Sequence, residues 1–155
     1  MIATDTRECG ECTLCCTLGI VEYNSKPGEY CPKCNVGSGC SIYEQRPESC
    51  VQFNCLWKQQ TQIPDDMRPD KIGVFFDMAP GSLIYFATVE PGKSQEIYKD
   101  WRVGAMVKKI NEAGHAVYLN GKSYRPEGMS EKVFQEQLAE CYKQNYKHGN
   151  LSVWL

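Results

Sequence analysis

The hydrophobic pattern of residues 71–155 predicts a small α+β domain. Two runs rich in β-branched and aromatic residues, at 72–78 and 83–89, have the length and composition of strands. They are separated by Ala79-Pro80-Gly81-Ser82, a turn sequence, and Pro91-Gly92 ends the second run. The two runs therefore predict a β-hairpin at the start of this domain.

Apolar residues at helical spacing come next. The positions that share this spacing are Val103, Met106, Val107, Ile110 and Ala113. Gly114 is placed to end that helix. Residues 115–119 then have the composition of a strand, and Asn120-Gly121 is a strong signal for a second hairpin.

A second helix is predicted after the second hairpin. Ser130 is placed as its N-cap, and the helix is expected to end near Gly149. The residues that follow at helical spacing are Val133, Phe134, Gln137, Leu138, Cys141 and Tyr142. The predicted order is ββαββα, with a short terminal strand at 151–155. Layers of this kind bury one face of each element.

Residues 1–57 have a different character, and we call them the cysteine-rich segment. Nine of the ten cysteines lie there, among glycines and prolines that permit only short elements. We expect a metal-stapled lobe packed on the ββαββα domain, because segments of this size fold on their metal. Residues 58–70, with two prolines and three aspartates, are predicted to be a linker or long loop.

Composition and charge remove several classes of function. The net charge is −2 with no basic stripe, which argues against a role in nucleic-acid binding. No run of about 18 apolar residues could span a bilayer. The first residues carry neither a basic nor an apolar region typical of a signal peptide. We therefore expect a cytoplasmic protein.

The cysteine spacing favours metal over disulfides. Cytosolic thiols stay reduced, and dense Cys-x-x-Cys spacing in that setting indicates metal binding. Nine cysteines also cannot all pair among themselves. A disulfide or redox-sensing array is the alternative.

The same spacing supports two metals. The run Cys9-x2-Cys12-x2-Cys15 suits zinc and also matches the spacing that holds three irons of a cubane cluster. The spacing from Cys12 and Cys15 to Cys31 and Cys34 matches a zinc ribbon, so zinc is favoured narrowly over iron.

The number of thiolates leaves the number of metals open. Eight thiolates make two four-sulfur sites, or one cluster and one zinc site, and nine can hold three zinc ions with bridging sulfurs. Adjacent side chains diverge, so Cys15 and Cys16 are expected to serve two different metals or a metal and the core.

Four short motifs resemble one known family. They are Cys-Gly-Glu-Cys-Thr-Leu-Cys-Cys at 9–16, Tyr-Cys-Pro-Lys-Cys at 30–34, Gly-Cys-Ser-Ile-Tyr-Glu-Gln-Arg-Pro-Glu-Ser-Cys at 39–50 and Phe-Asn-Cys-Leu-Trp at 53–57. Together they resemble the CxxCxxCC family, described as a zinc- or iron-chelating domain. The resemblance implies that the metal ligands are Cys9, Cys12, Cys15, Cys16, Cys40, Cys50 and Cys55, with Cys31 or Cys34 or both.

Two other residues of these motifs are predicted to support the site. Arg46 has five donors that could satisfy loop carbonyls or a thiolate-rich shell, and Tyr43 is expected to belong to a small apolar core around the site. The only histidines, His115 and His148, lie outside the cysteine-rich segment. Cys141 is expected to be a buried small hydrophobic residue.

Three functions follow from these expectations. The first is a structural or interaction module in which metal fixes a surface for a protein partner, with every metal fully coordinated by cysteine. The second is an iron–sulfur redox protein or enzyme with an exposed or incompletely ligated iron. The third is a metal carrier or sensor, for which Cys15 and Cys16 are the candidate exchangeable pair. Whether the chain is an enzyme stays open.

Overall fold

The structure is a computed structural model that describes residues 8–18, 21–26, 28–78 and 81–143. It contains both helices and sheets, so the predicted α+β class is confirmed. Three predicted features lie outside the described residues: the terminal strand at 151–155, the helix end near Gly149, and His148. None of the helices within the described ranges is long and apolar enough to cross a membrane.

The cysteine-rich segment consists of short elements. A small antiparallel hairpin is formed by β1 (Cys34–Asn35) and β2 (Gly39–Cys40). The helices α1 (Glu48–Gln52) and α2 (Leu56–Gln59) follow it. Single 3₁₀ turns occur at Leu14–Thr17, Val21–Tyr23 and Tyr43–Gln45.

The remainder is built on a four-stranded sheet. Its strands are β3 (Val74–Met78), β4 (Ile84–Val89), β5 (Ala116–Leu119) and β6 (Lys122–Tyr124), in that spatial order. The pair β4–β5 is parallel and the other two pairs are antiparallel. A parallel pair needs a crossover, which is supplied by α4 (Trp101–Glu112).

One face of the sheet is covered by α4. Side chains alternate between the faces of a strand, so Phe76, Ala87 and Val117 point to the same side. They pack against Val103 and Ile110 of the helix in the largest apolar cluster. This face has no cysteine in its cluster.

The opposite face is shared by two different parts of the chain. The last helix, α5 (Glu131–Lys143), packs Phe134 and Leu138 against Ile84 and Phe86. Next to it, the cysteine-rich segment covers Phe75 of the edge strand β3. The apolar contacts there come from Leu14, Cys55, Trp57 and the edge of the Phe53 ring, 5.5 Å from the Phe75 ring.

Two further helical turns follow α2 in the predicted linker and just beyond it, a 3₁₀ turn at Asp65–Met67 and α3 (Pro69–Ile72). Ile63 and Met67 pack against the α4 cluster. The Arg102 guanidinium donates to the carbonyl oxygens of Asp66 (2.6 Å) and Lys71 (3.3 Å). The segment is thereby tied to the start of α4.

The first strand begins two residues later than its composition predicts. Pro69 opens α3 because its fixed φ suits a first helical position, and Gly73 ends it in the left-handed region at φ +80°. Ile72 therefore belongs to the helix and is buried there, so β3 begins at Val74.

Candidate metal centre

Eight cysteines line one cavity of ≈ 360 Å³ in the cysteine-rich segment. They are Cys9, Cys12, Cys15, Cys16, Cys31, Cys34, Cys40 and Cys50. No disulfide joins the ten cysteines, all of which are free thiols. The ninth predicted ligand, Cys55, lies close enough to Cys9 and Cys12 for their charges to act on its thiol. The structure thus brings the predicted ligands into one region.

Backbone hydrogen bonds hold four of these cysteines in a ribbon. The Cys34 N–H donates to the Cys31 carbonyl at 2.9 Å, and the Lys33 N–H donates to Cys31 Sγ at 3.4 Å. Cys34 is paired with Cys40 in the β1–β2 register. The Cys31 N–H also donates to the Cys16 carbonyl at 3.0 Å, which fixes Cys16 beside the turn.

A second set lies deeper, against the sheet. Cys12, Cys15 and Cys55 belong to the apolar cluster around Phe75. The Cys12 N–H donates to the Cys9 carbonyl at 3.1 Å, so the two residues form a turn. Burial raises the pKa of Cys12 to about 11 and of Cys55 to about 12.

Backbone amides are aimed at these buried sulfurs. N–H groups of Leu14 and Asp70 donate to the Cys12 thiol, which opposes the rise in its pKa. N–H groups of Lys58 and Trp57 act on Cys55 in the same way. Amides in these positions stabilise a thiolate, because hydrogen bonding to the charged form favours that form.

Three thiols form a hydrogen-bonded row. Cys16 is linked to Cys15 and to Cys34, and the bond from Cys15 is the main reason why the pKa of Cys16 falls to about 7. Burial raises the pKa of Cys34 to about 12, and the bond to Cys16 raises the pKa of Cys15. The adjacent Cys15 and Cys16 thiols are therefore in contact, although the sequence predicted that they diverge.

The thiols line the cavity but do not converge on a common centre. Within the described ranges, no group of three or more His, Cys, Asp or Glu side chains is close enough to hold a metal ion. The set of donors nevertheless fits a thiophilic metal, since the wall offers sulfur from eight cysteines and amides already aimed at Cys12 and Cys31.

Arg46 and Tyr43 both line the cavity. The Arg46 guanidinium stacks on the Tyr43 ring, 3.9 Å from its centroid, and its Nε donates to the Tyr43 carbonyl at 3.0 Å. Burial raises the pKa of Cys9, and the positive charges of Lys58, Arg46 and Arg68 oppose that rise. Arg46 thus supplies positive charge near the thiols.

Sequence reasoning missed several residues beside the cavity. Arg68 forms a bidentate ion pair with Asp70, with N–O distances of 2.6 and 2.7 Å, and lies against Gly10. Thr13 is buried; its hydroxyl accepts from the Gly37 N–H at 3.1 Å and hydrogen-bonds to the Cys34 thiol. These contacts join distant parts of the chain, so no local motif marks them.

A larger cavity of ≈ 840 Å³ lies between α4 and the β5–β6 hairpin. Several of its polar groups are engaged in holding the fold. Asp100 caps α4, and Asn111 donates to the carbonyls of His115 and Tyr124. No cysteine lines this cavity, and His115 does not line the thiol cavity. Cys141, which lies on α5, is buried in the apolar cluster that contains Ile84 and Phe86, as predicted.

Comparison with models of protein families, with curated proteins and with solved structures finds no match to this chain. The resemblance of residues 9–57 to the CxxCxxCC family therefore stays a prediction.

Proposed function

We propose that the cysteine-rich segment is a thiolate metal-binding module and that metal fixes its structure for contact with a protein partner. The observation that carries the proposal is the single cavity lined by eight cysteines. Thiols distributed by packing alone would be scattered among apolar clusters, as Cys141 is. Zinc is the first choice of metal and iron the second.

Metal binding would draw the sulfurs inward. A zinc–sulfur bond is about 2.3 Å long. No three of the described thiols are close enough together to hold one ion, so binding must bring the sulfurs closer. Ligands in such sites must be deprotonated, so binding releases protons and competes with the burial that holds Cys12 and Cys55 neutral. The amides at these two sulfurs lower that cost, and the positive charges of Lys58, Arg46 and Arg68 do the same at Cys9.

The surface of the segment supports an interaction role. Val36 at the tip of the β1–β2 hairpin is 59 % exposed, and Tyr43 and Val51 are 46 % and 47 % exposed. Apolar side chains left exposed on the segment are available for contact with a protein partner. Cys34 and Cys40 flank Val36 in the chain, so metal bound there would fix the hairpin that presents it.

The test is anaerobic purification of the full chain, followed by elemental analysis and an absorption spectrum. A colourless protein containing zinc supports the proposal. A brown protein with matched iron and sulfide supports thiolate metal binding but moves the role to electron transfer or cluster catalysis. A well-folded protein without zinc or iron contradicts the proposal. Cys141→Ser is the control, because this cysteine lies outside the cavity and its loss should leave the metal content unchanged.

A further inference from the structure

We propose that the ≈ 840 Å³ cavity beside α4 is a docking groove for a proline-rich segment of a partner protein that has arginines next to its prolines. We call it the α4 groove. It lies between α4 and the β5–β6 hairpin, and no cysteine of the described ranges lines it. The inference therefore goes beyond the proposed metal binding and does not rest on it.

One face of α4 forms the length of the α4 groove. The residues that line it from this helix include Trp101, Gly104, Lys108 and Asn111, at intervals of three or four that place them on one side. At about 1.5 Å per residue, this face is about 15 Å long. Main-chain groups inside a helix bond to one another, so this wall cannot pair with an added strand. A polyproline II segment suits it, because that conformation needs no backbone partners.

Three aromatic side chains line the α4 groove. Trp101 is 73 % exposed and Tyr98 is 45 % exposed. The side chain of Tyr124 is hydrogen-bonded to that of Tyr98, and Asn120 Nδ2 donates to the Tyr98 hydroxyl at 3.1 Å. These bonds hold the Tyr98 ring in place before a partner arrives, which lowers the entropy lost on binding. Exposed aromatic rings along a groove are the surface on which proline-rich segments dock.

Gly104 leaves the floor of the groove open. It lies inside α4, where glycine is less stabilising than alanine. A Cβ at this position would meet nothing within 4 Å, so the packing of the chain does not require a glycine there. The missing side chain instead lets an occupant approach the backbone of the helix.

Two carboxylates lie toward the C-terminal end of α4. Glu112 is the last residue of the helix, and both Glu112 and Glu127 are exposed and line the groove. Glu127 follows Tyr124, whose carbonyl accepts from Asn111 Nδ2 at 3.1 Å, so its segment passes beside the same helix turn. The helix dipole adds negative potential at this end. An arginine of the partner suits it, because a guanidinium pairs with a carboxylate through two parallel hydrogen bonds.

The other charges at the groove leave this attraction in place. Asp100, at the opposite end, is neutralised by its ion pair with Arg102 at 2.8 Å. Lys108 is the one cation among the described lining residues, so the two glutamates outnumber it. Lys122 lies near the start of α4, with Nζ 5.9 Å from the centroid of the Tyr98 ring. Opposite charges at the two ends give the partner a direction, with its arginines toward the glutamates.

The experiment titrates a fluorescein-labelled peptide of five prolines followed by two arginines with the full chain and measures fluorescence anisotropy. Five residues of polyproline II span about 16 Å, which matches the length of the groove. One control peptide has two glutamates in place of the arginines, and another has five glycines in place of the prolines. The first peptide should bind at least tenfold more tightly than either control. Equal binding of the three peptides, or no binding, would overturn the proposal.

Variants of the groove separate docking from stability. Trp101→Ala should weaken peptide binding at least tenfold, because large aromatic side chains dominate the binding energy of such contacts. Gly104→Ala should also weaken binding, while the urea midpoint rises because alanine is the better helix former. Binding and stability then change in opposite directions, which a folding defect cannot produce. Val133→Ala is the control, since Val133 is 39 % exposed on α5 and does not line the groove.

The charge of the groove and its other possible occupant are tested in the same assay. Glu112→Gln combined with Glu127→Gln should weaken binding severalfold and reduce its dependence on salt, whereas Glu136→Gln, exposed on α5, should change neither. Sedimentation of the full chain should show a monomer. A dimer that Trp101→Ala converts to a monomer would assign the groove to a second copy of the chain and overturn the proposal, as would wild-type affinity in Trp101→Ala. Neither result would bear on the proposed metal binding.

Discussion

At the scale of single residues, Thr13 connects the start of the cysteine-rich segment to the β1–β2 hairpin. Its hydroxyl oxygen accepts from the Gly37 N–H at 3.1 Å, and the same group hydrogen-bonds to the Cys34 thiol. Under the proposed metal binding, a residue that orients the Cys34 thiol in this way contributes to metal affinity without touching the metal.

We expect Thr13→Val to weaken metal binding by about 10-fold or more, in the range seen when an outer hydrogen bond to a metal ligand is removed. The matched control is Thr17→Val. Thr17 is equally buried, but its hydroxyl donates to the Leu14 carbonyl at 2.7 Å and does not face the cavity. Competition with a chromogenic zinc chelator would measure both affinities. Equal weakening by the two substitutions would show that only fold stability is involved.

Gly10 lies between the first two cysteines and has φ +61°, a conformation that favours glycine. A Cβ at this position would stand 2.7 Å from Arg68 Nη1, which is held by its ion pair with Asp70. We expect Gly10→Ala to cost about 1–2 kcal/mol from its backbone alone and more from the displaced guanidinium. Urea denaturation would measure the loss.

The control for that substitution is Gly92→Ala. Gly92 also has positive φ, at +85°, but a Cβ there meets nothing within 4 Å. It should therefore show the backbone cost without the displacement of Arg68. A Gly10→Ala variant no less stable than Gly92→Ala would contradict the role assigned to Arg68.

At the scale of elements, Asp100 determines where α4 begins. Its carboxylate accepts from the Arg102 N–H at 2.9 Å and forms an ion pair with the Arg102 guanidinium at 2.8 Å. The same guanidinium donates to Asp66 and Lys71, so the cap also holds the preceding turns in place. Arg102 lowers the pKa of Asp100 below its ordinary value of 3.8.

We expect Asp100→Ala to destabilise the protein by about 1 kcal/mol, the usual cost of losing an N-cap side chain. Because the folded-state pKa is lowered, the stabilising contribution is present above pH 3.8 and is lost as the pH falls through the folded-state value. Asp100→Asn should keep most of the cap without this pH dependence. Urea midpoints of both variants and of the wild type, at pH 7 and at pH 3, would measure the effect. The difference in stability between the wild type and Asp100→Asn should be smaller at pH 3 than at pH 7. An equal difference at the two pH values would contradict the prediction.

Elements with strong local signals could be predicted from the sequence. The spacing of Val103, Met106 and Ile110 predicted a helix that is confirmed as α4. Asn120-Gly121 predicted a hairpin that is confirmed between β5 and β6, with both residues at positive φ. Ser130 is confirmed as the residue whose hydroxyl accepts from the Val133 N–H at the start of α5.

Elements that depend on distant contacts could not be predicted. The two-residue strands β1 and β2 are too short for a hydrophobic period, and their register is visible only as the pairing of Cys34 with Cys40. The spacing of cysteines indicated metal chemistry, but not which sulfurs lie together. That grouping depends on Cys55 reaching the first cysteines through the cluster on Phe75, a contact far apart in sequence.

At the scale of the whole molecule, the sheet is packed differently on its two faces. One face rests on α4 and the other is divided between α5 and the cysteine-rich segment. In α2, Leu56 joins the α4 cluster while its neighbour Trp57 joins the cluster around Phe75. Since these clusters lie on opposite faces, α2 covers the edge of β3, which protects an otherwise open strand.

This arrangement predicts that metal removal loosens one part of the protein and leaves the other folded. The clusters on α4 and α5 contain none of the cavity cysteines, so their packing does not depend on metal. Hydrogen exchange after treatment with a chelator and a reductant should therefore show lost protection in residues 8–55 and retained protection in β4 and β5. Uniform loss across the sheet would show that the segment and the sheet fold as one unit.

Tryptophan fluorescence provides an independent measurement of whether the cysteine-rich segment loosens when metal is removed. Trp57 is 5 % exposed, packs beside Cys55 and donates its indole N–H to the Pro64 carbonyl at 3.1 Å, whereas Trp101 is already 73 % exposed. Trp57 is buried against the cysteine-rich segment. Under the proposed metal binding, metal removal should therefore shift the emission to longer wavelength as its ring meets water. The shift should be absent in Trp57→Phe and unchanged in Trp101→Phe. An emission maximum that stays constant when metal is removed would mean that the cysteine-rich segment packs on Phe75 without metal. Metal would then affect only the surface of the β1–β2 hairpin.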